Sequence, residues 1–173
     1  MFTPKPISQP TIEAAFAKAE RYRLLNEPRE AESISLDILA TLPGDQRALV
    51  LLLLSITDQF KDDLIANVRR AQGLLERLDG DYARLYYTGI ITERWAKVLM
   101  ANDTACKDRR VHDGLKEAMG WYEKAEAVRP PENEDSILRW NACARIVETR
   151  LEGMSGEHRL EDLGIFRGSR TDT

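Results

Sequence analysis

An all-α chain of about seven helices is what this sequence predicts, and three observations carry it. Apolar residues recur at the i, i+3, i+4, i+7 spacing of one helix face through successive stretches. Helix-stopping clusters separate the stretches: Asn26-Glu27-Pro28, Pro43-Gly44-Asp45, Asp79-Gly80-Asp81 and Pro130-Pro131. No alternating run is long enough to read as a strand.

Residues 1–11, with Pro4, Pro6 and Pro10, read as an extended lead-in, and Thr11 as the N-cap of a first helix. That helix turns Ile12, Ala15, Phe16, Ala19, Tyr22 and one of Leu24 or Leu25 to one side. A second, from about residue 29 to 41, aligns Ala31, Ile34, Ile38 and Leu42. So short a link makes the two an antiparallel hairpin. The third helix (45–58) is apolar nearly all round, as suits packing on both sides. The fourth (62–78) presents Leu64, Ile65, Val68, Ala71, Leu75 and Leu78 inward, and Gly80 caps its end. The fifth (81–100) is longer and carries Gly89, which suits a place where another helix approaches closely. Residues 101–110 read as a loop, 111–128 as a sixth helix and 136–151 as a seventh, capped by Asp135. The seventh turns Ile137, Leu138, Asn141, Ala142, Ile146 and Val147 toward its neighbours. Residues 153–173 read as a mobile tail, with one short docked segment from Leu160, Leu163, Ile165 and Phe166. The helical domain is therefore 12–152.

Composition narrows the function. At 43% hydrophobic and 31% charged, the chain is too apolar for a disordered one. A net charge of −4 argues against a general nucleic-acid binder. The longest apolar run, Ala48 to Ser55, is too short to cross a bilayer, which takes ~20 residues. The N-terminus has no apolar signal-peptide core. Cys106 and Cys143 cannot make a disulfide framework and read as reduced thiols, which favours the cytoplasm.

Helices paired this way invite a search for an internal period. In residues 12–45, Ala19, Tyr22, Ala31 and Pro43 stand at the glycine, tyrosine, alanine and proline places of a ~34-residue helix-hairpin template. Leu49, Leu52, Ala66 and Gly73 follow in a weaker second unit, and Leu85, Gly89, Ala118, Tyr122, Ala125 and Pro130 in a third. Lys18 and Ser35 depart from the template, and the second unit lacks the closing proline. Gly89 to Ala118 is 29 residues where Ala19 to Ala31 is 12, so the third unit holds 17 extra. The chain thus resembles a tetratricopeptide (TPR) protein of about three degenerate units over 12–151, with the seventh helix closing the stack. The resemblance implies an alpha-alpha superhelix. Small residues sit where its helices cross, and Tyr22, Leu85 and Tyr122 fill the gaps beside them.

The resemblance also implies a groove lined by the first helix of each unit. Carried over, its positions are Glu13, Phe16, Glu20, Arg23 and Leu24, then Arg47, Val50, Leu54, Thr57 and Asp58. The third unit adds Ala83, Tyr86, Ile90, Glu93 and Arg94, and the last helix Ser136, Arg139, Cys143, Ile146 and Val147. The family's clamp for a peptide C-terminus needs Lys and Asn where this chain has Phe16, Glu20, Val50 and Leu54, so no such clamp is expected. Tyr86, Tyr87, Arg94, Arg139 and Trp140 are the candidate partner-binding residues, being of the types that dominate binding hot spots. The competing reading makes Tyr87 and Trp140 core and pairs Glu93 and Arg94 with neighbouring helices.

No catalytic set, metal-ligand spacing or phosphate loop is legible, and no cofactor is expected. His112 and His158 read as surface residues, and Lys107, Arg109, Arg110, Arg167 and Arg170 as solvated cations. The expected function is that of a protein-interaction module binding a peptide or partner helix. The alternatives are self-assembly as a homodimer and a small-molecule pocket near the fifth helix.

Overall fold

The computed structural model describes residues 2–101 and 108–162; for 108 and 150–162 it describes the helical backbone only. Most of the expected 101–110 loop, Cys106, Lys107 and residues 163–173 therefore lie outside the described residues, as do the side chains of His158 and Leu160.

Among the described residues the fold is all-helical. A 3-10 turn, Gln9–Thr11, leads into α1 (Ile12–Leu24), α2 (Pro28–Thr41), α3 (Gln46–Asp58), α4 (Leu64–Leu75), α5 (Asp81–Ala101), α6 (Asp108–Ala127) and α7 (Asp135–Asp162). Each helix packs against the next in sequence. Local chemistry sets the ends. Pro28 opens α2 at a position where its missing N–H is harmless. The Asp45 and Asp63 carboxylates accept the Ala48 and Ala66 amides at 2.8 and 3.0 Å, capping α3 and α4. Gly80 takes a φ of 77° just before α5.

Several sequence expectations shift. Thr11 does not cap α1; its hydroxyl donates to the Ser8 carbonyl at 2.7 Å instead. Asn133, not Asp135, accepts the first amide of α7, at 3.0 Å. Leu24 and Leu25 are both exposed, because α1 ends at Leu24, only two residues past its last packed residue, Tyr22. Ile65 is exposed as well. Its inward place goes to Asn67, whose side-chain amide donates to the Gln59 carbonyl at 3.0 Å. Leu138 is exposed on α7, the last described helix. The backbone of α7 continues to Asp162, past the expected end at Leu151.

Apolar surface collects in two clusters. One joins α1–α4 and takes in Ile91 of α5. The other joins α5, α6 and α7 around Ile90, Leu115, Tyr122 and Cys143. Leu54, Tyr87 and Trp95, each half-buried, touch both. Ala19, Ala31, Ala118 and Ala125 have no exposed surface, as expected for small residues at helix crossings. The α5–α6 seam is the tightest. A Cβ on Gly89 would lie 2.5 Å from the Tyr122 ring, and one on Gly114 2.7 Å from the Trp95 ring.

Polar ties join matching positions of consecutive hairpins. Thr41 bonds Ile7, Arg47 bonds Glu13, Arg23 bonds Asp58, Arg29 bonds Asp62, Arg77 bonds Pro43 and Gln46 bonds the amide of Asp79. These six separations are 33 to 35 residues, while Arg47–Glu20 and Gln59–Glu32 span 27 and Arg70–Glu32 spans 38. These ties also fix direction. Glu13 and Arg47 lie near the starts of α1 and α3, and Arg23 and Asp58 near their ends, so the two helices run parallel. Tyr82 meets Asn133 at the start of α5 and α7, and Glu93 meets Arg139 farther along both, so these two run parallel as well. Arg94 ties α5 to the last turn of α3. The odd-numbered helices thus stand side by side, bonded to one another through their own side chains.

Candidate functional site

Three polar layers cross this row. In the first, Arg47 lies over the Phe16 ring, 4.1 Å from its centre, and reaches Glu13 at 2.9 Å and Glu20 at 3.0 Å. In the second, Asp58 takes Arg23 at 2.8 Å and also Arg94. The Nη1 of Arg94 donates further to the Thr57 hydroxyl at 2.5 Å and to the Leu54 carbonyl at 3.2 Å, which also accepts the Thr57 hydroxyl at 2.8 Å. Burial works against the Arg94 charge and lowers its pKa, while Asp58 pulls the other way.

The third layer centres on Glu93, which is fully buried. Its carboxylate accepts Lys97 at 2.5 Å, the Tyr122 hydroxyl at 2.5 Å and Arg139 at 3.4 Å. A buried carboxylate is tolerable only with such company. Burial opposes the Arg139 charge, but Glu93 and the Tyr86 hydroxyl outweigh it and raise the Arg139 pKa. Tyr82 and Tyr86 stack at 5.7 Å, and Tyr86 meets Tyr87 edge-on at 5.1 Å. Burial pushes the Tyr87 hydroxyl up to about 12 and raises Tyr86, with Arg139 restraining the latter. Burial, reinforced by Glu93, pushes the Cys143 thiol up to about 12. These groups therefore hold their protons at neutral pH, and Cys143 is a packing residue rather than a nucleophile.

Tyr86, Tyr87 and Arg139 come together where α5 and α7 meet, and Arg94 lies in the neighbouring layer toward α3. Trp140 belongs elsewhere: its indole N–H donates to Glu123 of α6 at 2.9 Å. Glu93 and Arg94 both pair with neighbouring helices. His112 lies beside Asp113 on α6, 3.5 Å away, and Arg109 reaches the same carboxylate at 3.8 Å. A cleft of about 330 Å³ opens between the ends of α3 and α5, beside Lys61, Arg94, Lys97, Val98 and Met100. The sequence signal for the Glu93 hub is slight. A lone carboxylate follows Ile90 and Ile91 in a helix that is apolar on more than one side, which points to a buried acid and not to its partners.

Among the described residues no cluster of His, Cys, Asp and Glu is placed to hold a metal, and no helix is long and apolar enough to cross a membrane. No protein-family model, curated protein or solved structure matches the chain.

Proposed function

We propose that this chain is a TPR-like helical repeat protein that holds a peptide or partner helix along the row formed by α1, α3, α5 and α7. The observation that carries this reading is the register of the polar ties. Six of them, including Glu13–Arg47, Arg23–Asp58 and Arg29–Asp62, join residues 33 to 35 apart across the first two units, near the ~34-residue period of the template. The corresponding Tyr82–Asn133 tie spans 51 residues, in keeping with an insertion in the third unit. Rigid, parallel helices presenting half-exposed aromatics and arginines suit a helix-in-groove or extended-peptide mode. Tyr86, Tyr87 and Arg139 form the anchor we assign to the partner. Arg94 supports it from the next layer and Trp140 from the α6–α7 edge. The cytoplasm is the compartment we propose.

The test is an affinity pull-down from lysate with the Tyr86→Ala, Arg139→Ala double variant alongside, both proteins first shown to be folded by circular dichroism. A partner captured by the parent and lost by the folded variant supports the reading. A partner retained by both places binding off this row.

Leu138, exposed on α7, favours a second reading in which that face meets another copy of the chain. Light scattering after size exclusion separates the two: a monomer at all concentrations removes the dimer.

A further inference from the structure

The cleft between the ends of α3 and α5 is unlike the rest of the row. Among the described residues it is lined by Lys61, Arg94 and Lys97, with Asp58 the single carboxylate. Asp58 is already shared by Arg23 and Arg94, and the fully buried Glu93 by Lys97 and Arg139. Three cations, Lys61, Arg94 and Lys97, therefore line the cleft against Asp58, in a chain whose net charge is −4. The opposite end of the row has the reverse balance, Glu13 and Glu20 against Arg47.

The cations keep donors to spare. All the bonds that Arg94 makes among the described residues leave from Nη1, and its side chain is 20% exposed, which leaves Nε and Nη2 as donors for an incoming acceptor. Among the described residues Lys97 gives one bond, to Glu93, and its side chain is 36% exposed, which leaves ammonium protons for another acceptor. Lys61 is exposed. Beside these donors stand Val98 and Met100, half-buried and apolar. About 330 Å³ is room for a carboxylate side chain and one aliphatic neighbour.

Resting on the peptide-holding function above, we propose that this cleft recognises an acidic residue next to an aliphatic one in the partner peptide. The carboxylate meets Lys61, Lys97 and the outer nitrogens of Arg94, and the aliphatic side chain lies on Val98 and Met100. A free phosphate would leave the apolar wall unused and would face Asp58 with a larger charge.

The test is a titration of the ¹⁵N-labelled full chain with an acetylated, amidated hexapeptide of alternating glutamate and leucine. The controls are its lysine–leucine counterpart, inorganic phosphate and concentration of the protein alone. Saturable shifts at the Lys61, Lys97 and Val98 amides with the acidic peptide only, weakened about tenfold by Lys61→Glu, are expected. Among the described residues Lys61 makes no side-chain tie and it is exposed, so this variant probes the cleft without disturbing packing. Equal shifts with the lysine peptide or phosphate, shifts on self-concentration, or no saturable shift overturn the proposal. The lysate partner separates the two readings. If Tyr86→Ala with Arg139→Ala loses it and Lys61→Glu keeps it, the row binds the partner and the cleft is not its acid site. If all variants keep it, the row reading falls.

Discussion

The Tyr122 hydroxyl donates to the Glu93 carboxylate across the α5–α6 seam at 2.5 Å, and neither side chain has any exposed surface. Tyr122→Phe keeps the ring and removes the donor. A hydrogen bond to a charged group contributes about 1.5–3 kcal/mol, so urea unfolding should show a loss in that range with an unchanged slope. A loss below about 0.5 kcal/mol would mean that Lys97 and Arg139 hold Glu93 unaided.

Two glycines should respond to alanine with opposite signs. Gly89→Ala places a Cβ 2.5 Å from the Tyr122 ring, and such overpacking costs about 1–3 kcal/mol, more than the ~1 kcal/mol of helix propensity gained. A Cβ on Gly120, within α6, meets nothing within 4 Å, so Gly120→Ala should stabilise by up to about 1 kcal/mol. Thermal melts of the two variants decide this; melting shifts of the same sign would contradict the packing described for the seam.

Arg94→Ala removes a donor from Asp58, Thr57 and the Leu54 carbonyl in one step. Its side chain is only 20% exposed, so the expected loss is about 2 kcal/mol rather than the fraction typical of a surface ion pair. Hydrogen exchange should show the last turn of α3 opening before the rest of that helix.

Alkali should weaken the fold. Cys143 and Tyr87 titrate at about 12 when folded, against 9.0 and 10.0 in an open chain. Between those values the unfolded chain binds fewer protons than the folded one, so stability falls as pH rises. The contribution is whole below pH 9 and is lost progressively toward pH 12. The urea midpoint should therefore drop from pH 8.5 to 11, and less steeply in Tyr87→Phe, whose ring carries no titrating hydroxyl.

The helix order was legible because periodicity and stop residues are local signals. Gly89 was readable too, since a glycine inside a strong helix needs a reason and close approach is the commonest. Faces at helix ends were less so. Ile65 looks like a core residue until Asn67 finds the Gln59 carbonyl, a bond that depends on how α3 ends. The same limit applies to the site. Tyr86, Arg94 and Arg139 stand out as residue types, but their bonds come from helices up to 53 positions away, and pairings at that distance leave no local trace. The Arg47–Phe16 stack, joining two groove positions of successive units, is of the same kind.

Among the described residues the ties of the row stay local in sequence, with Tyr82 to Asn133 spanning 51 residues and Tyr86 to Arg139 spanning 53. Closing loops of that length carries a small entropic penalty, and chains built from near-neighbour contacts reach their native state quickly. As the polypeptide leaves the ribosome, each hairpin meets the binding groups of its predecessor about 34 residues later, before most of the chain has been made. Arg47 becomes available to Glu13, then Asp58 to Arg23, then Arg94 to Asp58, so the ties can be made in the order of synthesis.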